Sequence, residues 1–196
     1  IERYTDALKR QEKIELIRDQ LNLLSRLIQD LLMISRLDYL PELKWDTVDV
    51  NDLARQVEEQ FHALIEKKQL HMQLELTPNL PTVPADREAL GRVLMNLVEN
   101  AVNYTPETRS IRVRTEQHSG AILIAVTDEG IGIEPEDLPY IFNRYYRSQQ
   151  AREVISTGSG LGLTIVQRVI EMHGGRVEVE STPGVGSTFR VFVPLA

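Results

Sequence analysis

The first forty residues limit the fold of this chain most, because they contain neither glycine nor proline and repeat large aliphatic side chains in heptads. Alternating spacings of three and four residues connect Ile14, Ile17, Leu21, Leu24, Ile28 and Leu31. Further leucines widen this stripe beyond the seam that one partner helix needs: Leu16, Leu23, Leu27 and Leu32. The pattern predicts a helix over residues 11–37 in a helical bundle, with a core helix of a single domain as the alternative. Residues 1–10 are predicted to end a preceding helix, with a turn between Arg10 and Lys13.

Beyond Pro41, helical and strand patterns alternate irregularly. Helices are predicted at 51–68, 87–103 and 161–172, with Asn51 and Asp86 as caps of the first two. We expect an extended segment at 43–50, strands at 70–76, 111–115, 122–127, 176–180 and 187–193, and a loop-rich stretch at 128–159. Many neighbouring strands are predicted to be antiparallel, so the expected fold is α/β: a two-layer α/β sandwich, with a mixed sheet covered by helices on one face, preceded by a helical-hairpin segment. The predicted domains are residues 1–40 and 41–196.

The composition excludes several classes of function. No cysteine occurs, so disulfides, thiolate metal sites and a cysteine nucleophile are all absent. No apolar run approaches the roughly 18 residues of a membrane-spanning helix. A net charge of -7 argues against non-specific nucleic-acid binding. We expect a cytoplasmic protein, and whether the parent protein is anchored in a membrane is left open.

Three asparagines share one face of the predicted helix 87–103. Asn96, Asn100 and Asn103 are spaced by four and then three residues, while leucine, valine and alanine side chains supply the apolar side. Asparagine is a poor helix former. Three carboxamides on one face therefore indicate contact with phosphates or coordination of a hard cation through carbonyl oxygens. A solvated polar face is the alternative.

A second motif, Asp128-Glu129-Gly130-Ile131-Gly132-Ile133, follows an apolar strand. An acid at the carboxyl end of a strand projects into the crevice where ligands usually bind. Its carboxylate can accept a hydrogen bond from an exocyclic amine such as that of adenine, and the glycines allow close approach of the backbone to a planar base. Taken alone, the same residues are also typical of a simple turn.

Three further segments carry candidate binding residues. Thr157-Gly158-Ser159-Gly160-Leu161-Gly162-Leu163 directly precedes a helix, where free backbone N–H groups bind anions, although a flexible loop would look the same. The aromatic and arginine residues of 141–147 suit a mobile lid with Arg147 directed at a phosphate, or an ordinary amphipathic turn. Gly184-Val185-Gly186-Ser187-Thr188 is expected to close a hairpin.

In their order and spacing, these motifs resemble the N, first-glycine, F, second-glycine and third-glycine boxes of sensor histidine kinases, over about residues 45–196. The catalytic domain of that family has the ATP fold shared with DNA gyrase, mismatch-repair proteins and a heat-shock chaperone. The segment Asp30-Leu31-Leu32-Met33-Ile34-Ser35-Arg36-Leu37-Asp38 similarly resembles the end of the second helix of the family's dimerisation hairpin. The resemblance implies ATP-dependent phosphorylation of a histidine, relay to an aspartate of a response-regulator receiver domain, and a homodimer formed through the hairpin.

The resemblance also implies roles for single residues. Asn100, with Asn96, would hold Mg²⁺ on the phosphates of ATP, and Asp128 would bind the adenine amino group. The other implied nucleotide contacts are Gly132 against the base with Thr188 in support, Tyr104 along the nucleotide, Arg147 at the phosphates, and Asn103, Gly130, Ile133, Tyr145, Gly158, Ser159, Gly160, Leu161, Gly162 and Leu163.

The chain departs from the family pattern in three places. Asn103 stands where the family usually has a lysine or arginine that contacts phosphate, and Thr157 replaces a glycine of the lid motif. The family's acceptor histidine lies in a His-Glu/Asp-Leu-Arg-Thr-Pro context, which none of the four histidines has: His62, His71, His118 and His173. We therefore expect no catalytic acceptor in this chain, an acceptor a few residues before Ile1, and binding of ATP and Mg²⁺ without self-phosphorylation.

An ATPase and a non-catalytic nucleotide-binding scaffold of the same superfold are the alternatives. The hydrolytic relatives carry a glutamate at the position of Asn96 to activate water, and an asparagine is a poor base. The missing acceptor histidine and Asn103 favour the scaffold.

Overall fold

In a computed structural model, residues 13, 14, 17, 20, 21, 24, 25, 27–35, 43–155 and 158–195 are described. They fall into two compact units, Ile1–Leu40 and Pro41–Ala196. In the first unit, the described residues between 13 and 35 are all helical and form α1. The predicted helix at 1–10, the turn before Lys13 and the stripe residues Leu16 and Leu23 lie outside the described residues. No helix in the described part of the chain is both long and apolar enough to cross a membrane.

The described part of the second unit alternates helices and strands. Its helices are α2 (Val50–Lys67), α3 (Arg87–Tyr104), α4 (Gln149–Val154) and α5 (Gly162–Met172), with one 3-10 turn at Leu138–Tyr140. Its strands are β1 (Trp45–Val48), β2 (His71–Leu76), β3 (Val83–Asp86), β4 (Ser110–His118), β5 (Ala121–Asp128), β6 (Arg176–Thr182) and β7 (Gly186–Pro194). The short helix α4 was not predicted, since it lies in the stretch expected to be loop.

The strands form a five-stranded mixed sheet and a separate two-stranded one. The larger sheet has the order β2-β4-β5-β7-β6, in which only the β2–β4 pair is parallel. The smaller sheet pairs β1 with β3 in antiparallel orientation, an arrangement that the sequence did not predict. The predicted α/β class, with a mixed sheet and helices, is confirmed.

The two faces of the larger sheet differ. On one face, side chains of β5 and β7 are at most 1% exposed: Ile122, Ile124, Val126, Val191 and Val193. On the other face, Leu123, Ala125 and Phe192 form a small cluster, and the Arg176 guanidinium lies 3.7 Å from the centre of the Phe192 ring. The helices α2, α3 and α5 therefore cover one face, and charged side chains shield the other.

The start of α2 differs from the prediction. Asp49, not Asn51, caps the helix, because its carboxylate accepts hydrogen bonds from the N–H groups of Asn51 (2.8 Å) and Asp52 (3.3 Å). The buried Asn51 side chain instead donates to the Thr77 carbonyl (2.9 Å) and accepts from the Thr115 hydroxyl (2.7 Å). Tertiary contacts thus draw this asparagine inward, while the neighbouring aspartate satisfies the free N–H groups of the first turn.

A buried histidine fixes the beginning of α3. His173 follows the last turn of α5, and its Nδ1 lies 2.7 Å from the Val169 carbonyl oxygen, which can only accept. Its Nε2 therefore accepts the hydrogen bond that the Asp86 N–H donates over 3.0 Å. Asp86 in turn caps α3 through the Ala89 N–H (3.0 Å), as its sequence position predicted. This histidine has a structural role, which is to join the end of α5 to the start of α3.

Candidate functional site

Helix α3 connects the segments that carry the candidate binding residues. Near its middle, Asn96 is 4% exposed and donates from Nδ2 to the Gly162 carbonyl over 3.2 Å, at the start of α5. Asn100 and Asn103 are half-buried on the same helix face. At the carboxyl end of α3, the Tyr104 carbonyl accepts from the Ile131 N–H over 3.2 Å. One helix therefore touches both the glycine-rich segment before α5 and the loop that follows β5.

Lys68, the residue that caps the carboxyl end of α2, satisfies the free carbonyls at the carboxyl end of α3. Lys68 Nζ donates to the carbonyl oxygens of Val102 (2.6 Å), Asn103 (3.2 Å) and Thr105 (3.3 Å). The last turn of α3 contains no basic residue of its own. Burial lowers the pKa of Lys68, which the nearby Glu107 partly opposes. Lys68 thus supplies, from the end of a separate helix, the cation that favours a helix carboxyl terminus.

Replacing Lys68 with methionine is expected to lower the free energy of unfolding by about 1–3 kcal/mol, since carbonyl groups that it satisfies lose their charged donor. Thermal unfolding followed by circular dichroism measures this. Lys67→Met is the matched control, because it removes the same charge from an exposed neighbour. Equal melting temperatures for the two variants would contradict the capping role of Lys68.

Asp128 ends β5 as a buried acid, 9% exposed. Its Oδ1 accepts from the Gly130 N–H over 2.8 Å. Burial raises the pKa of Asp128 to about 6, although hydrogen bonds from the backbone of Gly130 and Ser187 partly oppose the increase. No cationic side chain is among the causes of this pKa shift, and burying a carboxyl group without such a partner destabilises the fold. A buried acid with a shifted pKa is typical of a binding or catalytic site.

The β6–β7 hairpin closes tightly over the loop 128–133. Gly132 has a φ of +70°, and a Cβ atom built on it would lie 2.1 Å from the Thr182 carbonyl oxygen. A Cβ atom on Gly186 would lie 1.9 Å from the Asp128 carbonyl oxygen. The Gly184 N–H also donates to the Ile131 carbonyl over 2.8 Å. Gly132 and Gly186 therefore have no room for a side chain where the hairpin contacts the loop.

The threonines and serines beside Asp128 extend this contact. The hydroxyl oxygens of Thr127 and Thr188 are 3.0 Å apart, on paired residues of β5 and β7. The Ser181 hydroxyl accepts from the Ile133 N–H over 2.9 Å. Ser181 and Lys68 were missed by the sequence analysis, since nothing in the local pattern marks either residue.

Arg147 is folded back onto α4. Its guanidinium donates to the carbonyl oxygens of Gly158 (3.1 Å) and Ala151 (3.0 Å), and also to that of Ile155. A contact between Arg147 and a phosphate therefore requires the guanidinium to exchange these carbonyls for the ligand.

The remaining residues of the glycine-rich segment contact one another or the aromatic segment. The N–H of the exposed Tyr145 donates to the Gly160 carbonyl over 3.0 Å. The Ser159 hydroxyl accepts from the N–H of the buried Leu161 over 3.2 Å, and Leu163 is half-buried in the first turn of α5. Thr157 lies outside the described residues. The structure thus brings the candidate residues together in two groups, the loop after β5 and the segment before α5, with α3 touching both.

The donor atoms on α3 suit a hard metal ion. Mg²⁺ prefers oxygen ligands, keeps several waters and usually takes only one or two ligands from the protein. The amide nitrogen of Asn96 donates a hydrogen bond to the Gly162 carbonyl, and the amide oxygen takes no part in that bond. The described residues contain no cluster of three or more histidine, cysteine, aspartate or glutamate side chains that could hold a metal. The amide oxygens of Asn96 and Asn100 are donors of the kind that Mg²⁺ accepts.

Sequence comparisons agree with this geometry. Residues 85–196 match the family described as histidine kinase-, DNA gyrase B- and HSP90-like ATPase. The chain is 36% identical over 174 residues to the sensor-like histidine kinase SenX3 of Mycobacterium tuberculosis, covering 88% of this chain and 42% of SenX3. It is 33% identical over 183 residues to the alginate biosynthesis sensor protein KinB of Pseudomonas aeruginosa, covering 93% of this chain and 30% of KinB. The chain thus spans less than half the length of these relatives.

Solved structures of histidine kinases share the fold. Full-length ShkA in complex with AMPPNP matches with a TM-score of 0.77 and 31% identity, over 88% of this chain and 36% of that one. The histidine kinase ThkA in complex with the response regulator protein TrrA matches with a TM-score of 0.73 and 27% identity, over 89% of this chain and 49% of that one.

Proposed function

Because the chain belongs to the histidine kinase-, DNA gyrase B- and HSP90-like ATPase family and is the catalytic ATPase domain of a sensor histidine kinase, we propose that its parent protein transfers the γ-phosphoryl group of ATP to a histidine. The phosphoryl group then passes to an aspartate of a response-regulator receiver domain. Residues 41–196 are proposed to be the ATP-binding domain, and residues 1–40 to be part of a dimerisation hairpin.

Asp128 is the observation on which the nucleotide proposal depends. A carboxylate accepts hydrogen bonds and cannot donate them, so it suits the 6-amino group of adenine and opposes the carbonyl oxygen of guanine. Asp128 is buried at the carboxyl end of β5, beside a loop whose glycines permit close backbone approach. This arrangement supports ATP over GTP as the ligand, with Gly132 and Thr188 near the base.

The asparagine face of α3 is proposed to meet the phosphates. Asn100 and Asn96 would contribute amide oxygens to Mg²⁺, which neutralises the developing charge when the γ-phosphoryl group is transferred. Asn96 also argues against ATP hydrolysis at this site, because a buried amide that is hydrogen-bonded to Gly162 cannot act as a base towards water. Tyr104, Asn103 and Arg147 are the proposed remaining contacts with the nucleotide, together with the segment 158–163.

The partner proposals rest on α1 and on the relatives. The six heptad residues of α1 are 47–65% exposed in the single chain, a stripe that a second copy would bury in a four-helix bundle. The ThkA–TrrA complex supports a response regulator as the partner. None of the four histidines has the neighbours of an acceptor site, so the acceptor is proposed to lie outside these 196 residues.

Calorimetric titration with a non-hydrolysable ATP analogue, with and without Mg²⁺, tests the proposal. We expect binding that strengthens with the metal, little hydrolysis of ATP and no acid-labile phosphate on the chain. Rapid ATP hydrolysis would favour an ATPase, and no binding at millimolar ligand would favour a scaffold. Supplying the acceptor helix as part of a longer chain should then produce phosphohistidine.

A further inference from the structure

One serine hydroxyl joins the loop after β5 to both sides of the β6–β7 hairpin. The Ser181 hydroxyl accepts from the Ile133 N–H over 2.9 Å, and lies 3.0 Å from the Gly186 carbonyl oxygen and 2.9 Å from the Ser187 hydroxyl. A serine oxygen has one hydrogen to donate and two lone pairs. The Ser181 hydroxyl donates its hydrogen to the Gly186 carbonyl and accepts hydrogen bonds from Ile133 and Ser187, so its hydrogen and both lone pairs are used.

Three other N–H groups of this loop are held differently. Those of Glu129 and Ile131 donate to main-chain carbonyls of Ser110 (3.1 Å) and Tyr104 (3.2 Å). That of Gly130 donates to the Asp128 carboxylate within the loop. The end of the loop at Ile133 thus depends on a side chain from another strand, which a single substitution can remove.

The same hydroxyl is linked to Asp128 from the opposite side. Ser181 contacts Ser187, which is paired with Asp128 across β5 and β7. Between the two ends, Gly132 lies so close to Thr182, the neighbour of Ser181, that a Cβ atom would be 2.1 Å from its carbonyl oxygen. Ser181 therefore links the residue opposite Asp128 to the loop next to Gly132, beside the hydrogen bond from the Gly184 N–H to the Ile131 carbonyl.

We propose that Ser181 is a positioning residue for base selectivity: its hydroxyl holds the Asp128 carboxylate and the Gly132 backbone at the separation that accepts adenine and disfavours guanine. The inference rests on the proposed nucleotide site. Without the hydroxyl, the Ile133 N–H and the Gly186 carbonyl lose a partner, and the Ile133 end of the loop can shift while the Gly184–Ile131 hydrogen bond remains. The hydrogen bonds of Ser181 join Ile133, Gly186 and Ser187 and not the asparagine face of α3, so we expect the proposed triphosphate part of the site to be unaffected.

The test titrates the 196-residue chain with Mg²⁺ and three probes: AMPPNP, GMPPNP and inorganic triphosphate. Ser181→Ala removes the hydroxyl, whereas Ser181→Thr keeps it and suits a strand. Ser119→Ala is the matched control, because Ser119 is exposed in the turn between β4 and β5.

For Ser181→Ala, we expect the Kd for AMPPNP to rise about tenfold, as for the loss of one hydrogen bond, while triphosphate binding is unchanged and the preference for AMPPNP over GMPPNP falls. Ser181→Thr and Ser119→Ala should both retain the wild-type preference. An unchanged preference in Ser181→Ala, or equal weakening of all three ligands, would overturn the inference while leaving the nucleotide site intact. Wild-type protein that binds no nucleotide would overturn the proposed function together with it.

Discussion

Asp128→Asn is expected to raise the Kd for an ATP analogue about 10- to 100-fold, since a hydrogen bond to a charged group contributes about 1.5–3 kcal/mol. The substituted amide can keep one oxygen for the Gly130 N–H, and it then presents an NH₂ group towards the amino group of adenine. Two donors facing each other cannot bond. The preference for adenine over guanine should fall as well, which titration with AMPPNP and GMPPNP measures.

Glu129→Gln is the control for Asp128→Asn. Glu129 is an exposed neighbour whose Oε2 accepts from the Ser110 N–H over 3.0 Å, and a glutamine can retain this bond while it loses the same charge. Its ATP affinity should stay near that of the wild type. Unchanged ATP affinity in Asp128→Asn would refute the adenine role of Asp128.

The pKa of Asp128 adds a pH test. Folding raises it from 3.8 to about 6, so the native state keeps the proton to a higher pH than the unfolded chain does. The contribution of Asp128 to stability is therefore greatest below pH 4 and is lost as pH rises towards 6, by about 3 kcal/mol in total. Binding has the opposite sign, because the ionised carboxylate accepts the adenine amine more strongly than the protonated carboxyl group, which also carries a donor.

ATP affinity of the wild type should thus fall as pH is lowered through about 6. In Asp128→Asn this component should be absent, so comparing the two proteins cancels the titration of the ATP phosphates themselves. The variant without nucleotide should also melt no lower than the wild type at pH 8, since it no longer buries a charge. A parallel pH dependence in both proteins would contradict the assignment.

Asn100→Ala should abolish the Mg²⁺ dependence of ATP binding. The half-buried Asn100 lies one turn after Asn96 on α3, and its amide oxygen is a hard donor suited to this metal. Binding measured with Mg²⁺ should fall to the affinity measured with a chelator, while binding without metal is unchanged. Because alanine is the better helix former, the melting temperature should not drop.

Asn103→Ala is the control for the metal assignment. Asn103 occupies the same face one turn later, but it is not a proposed metal ligand, so its variant should keep the stimulation by Mg²⁺. Persistent stimulation in Asn100→Ala would place the metal elsewhere.

The sequence predicted those features of the fold that local chemistry controls. The apolar spacing and Asp86 located α3 to within a residue, because a cap and a helical period act within one or two turns. Alternation located β2, and the glycine-containing segment 184–188 located the β6–β7 hairpin. Where two neighbouring residues had similar capping chemistry, at Asp49 and Asn51, the sequence alone chose the wrong one.

In the candidate site, too, the sequence revealed local motifs but not the long-range contacts. The motifs around Asn96, Asp128 and Gly160 were found from the sequence, since their side chains and glycines are clustered along the chain. The contacts that hold them were not, because they join residues far apart: Lys68 to Val102 across 34 positions, Ile133 to Ser181 across 48, and Asp86 to His173 across 87. Such pairings depend on how strands and helices come together, and no local period encodes them. Local sequence patterns thus marked the groups that are proposed to meet a nucleotide, because these patterns lie within a few residues of one another, whereas the groups that hold them in place became visible only once distant parts of the chain were packed together.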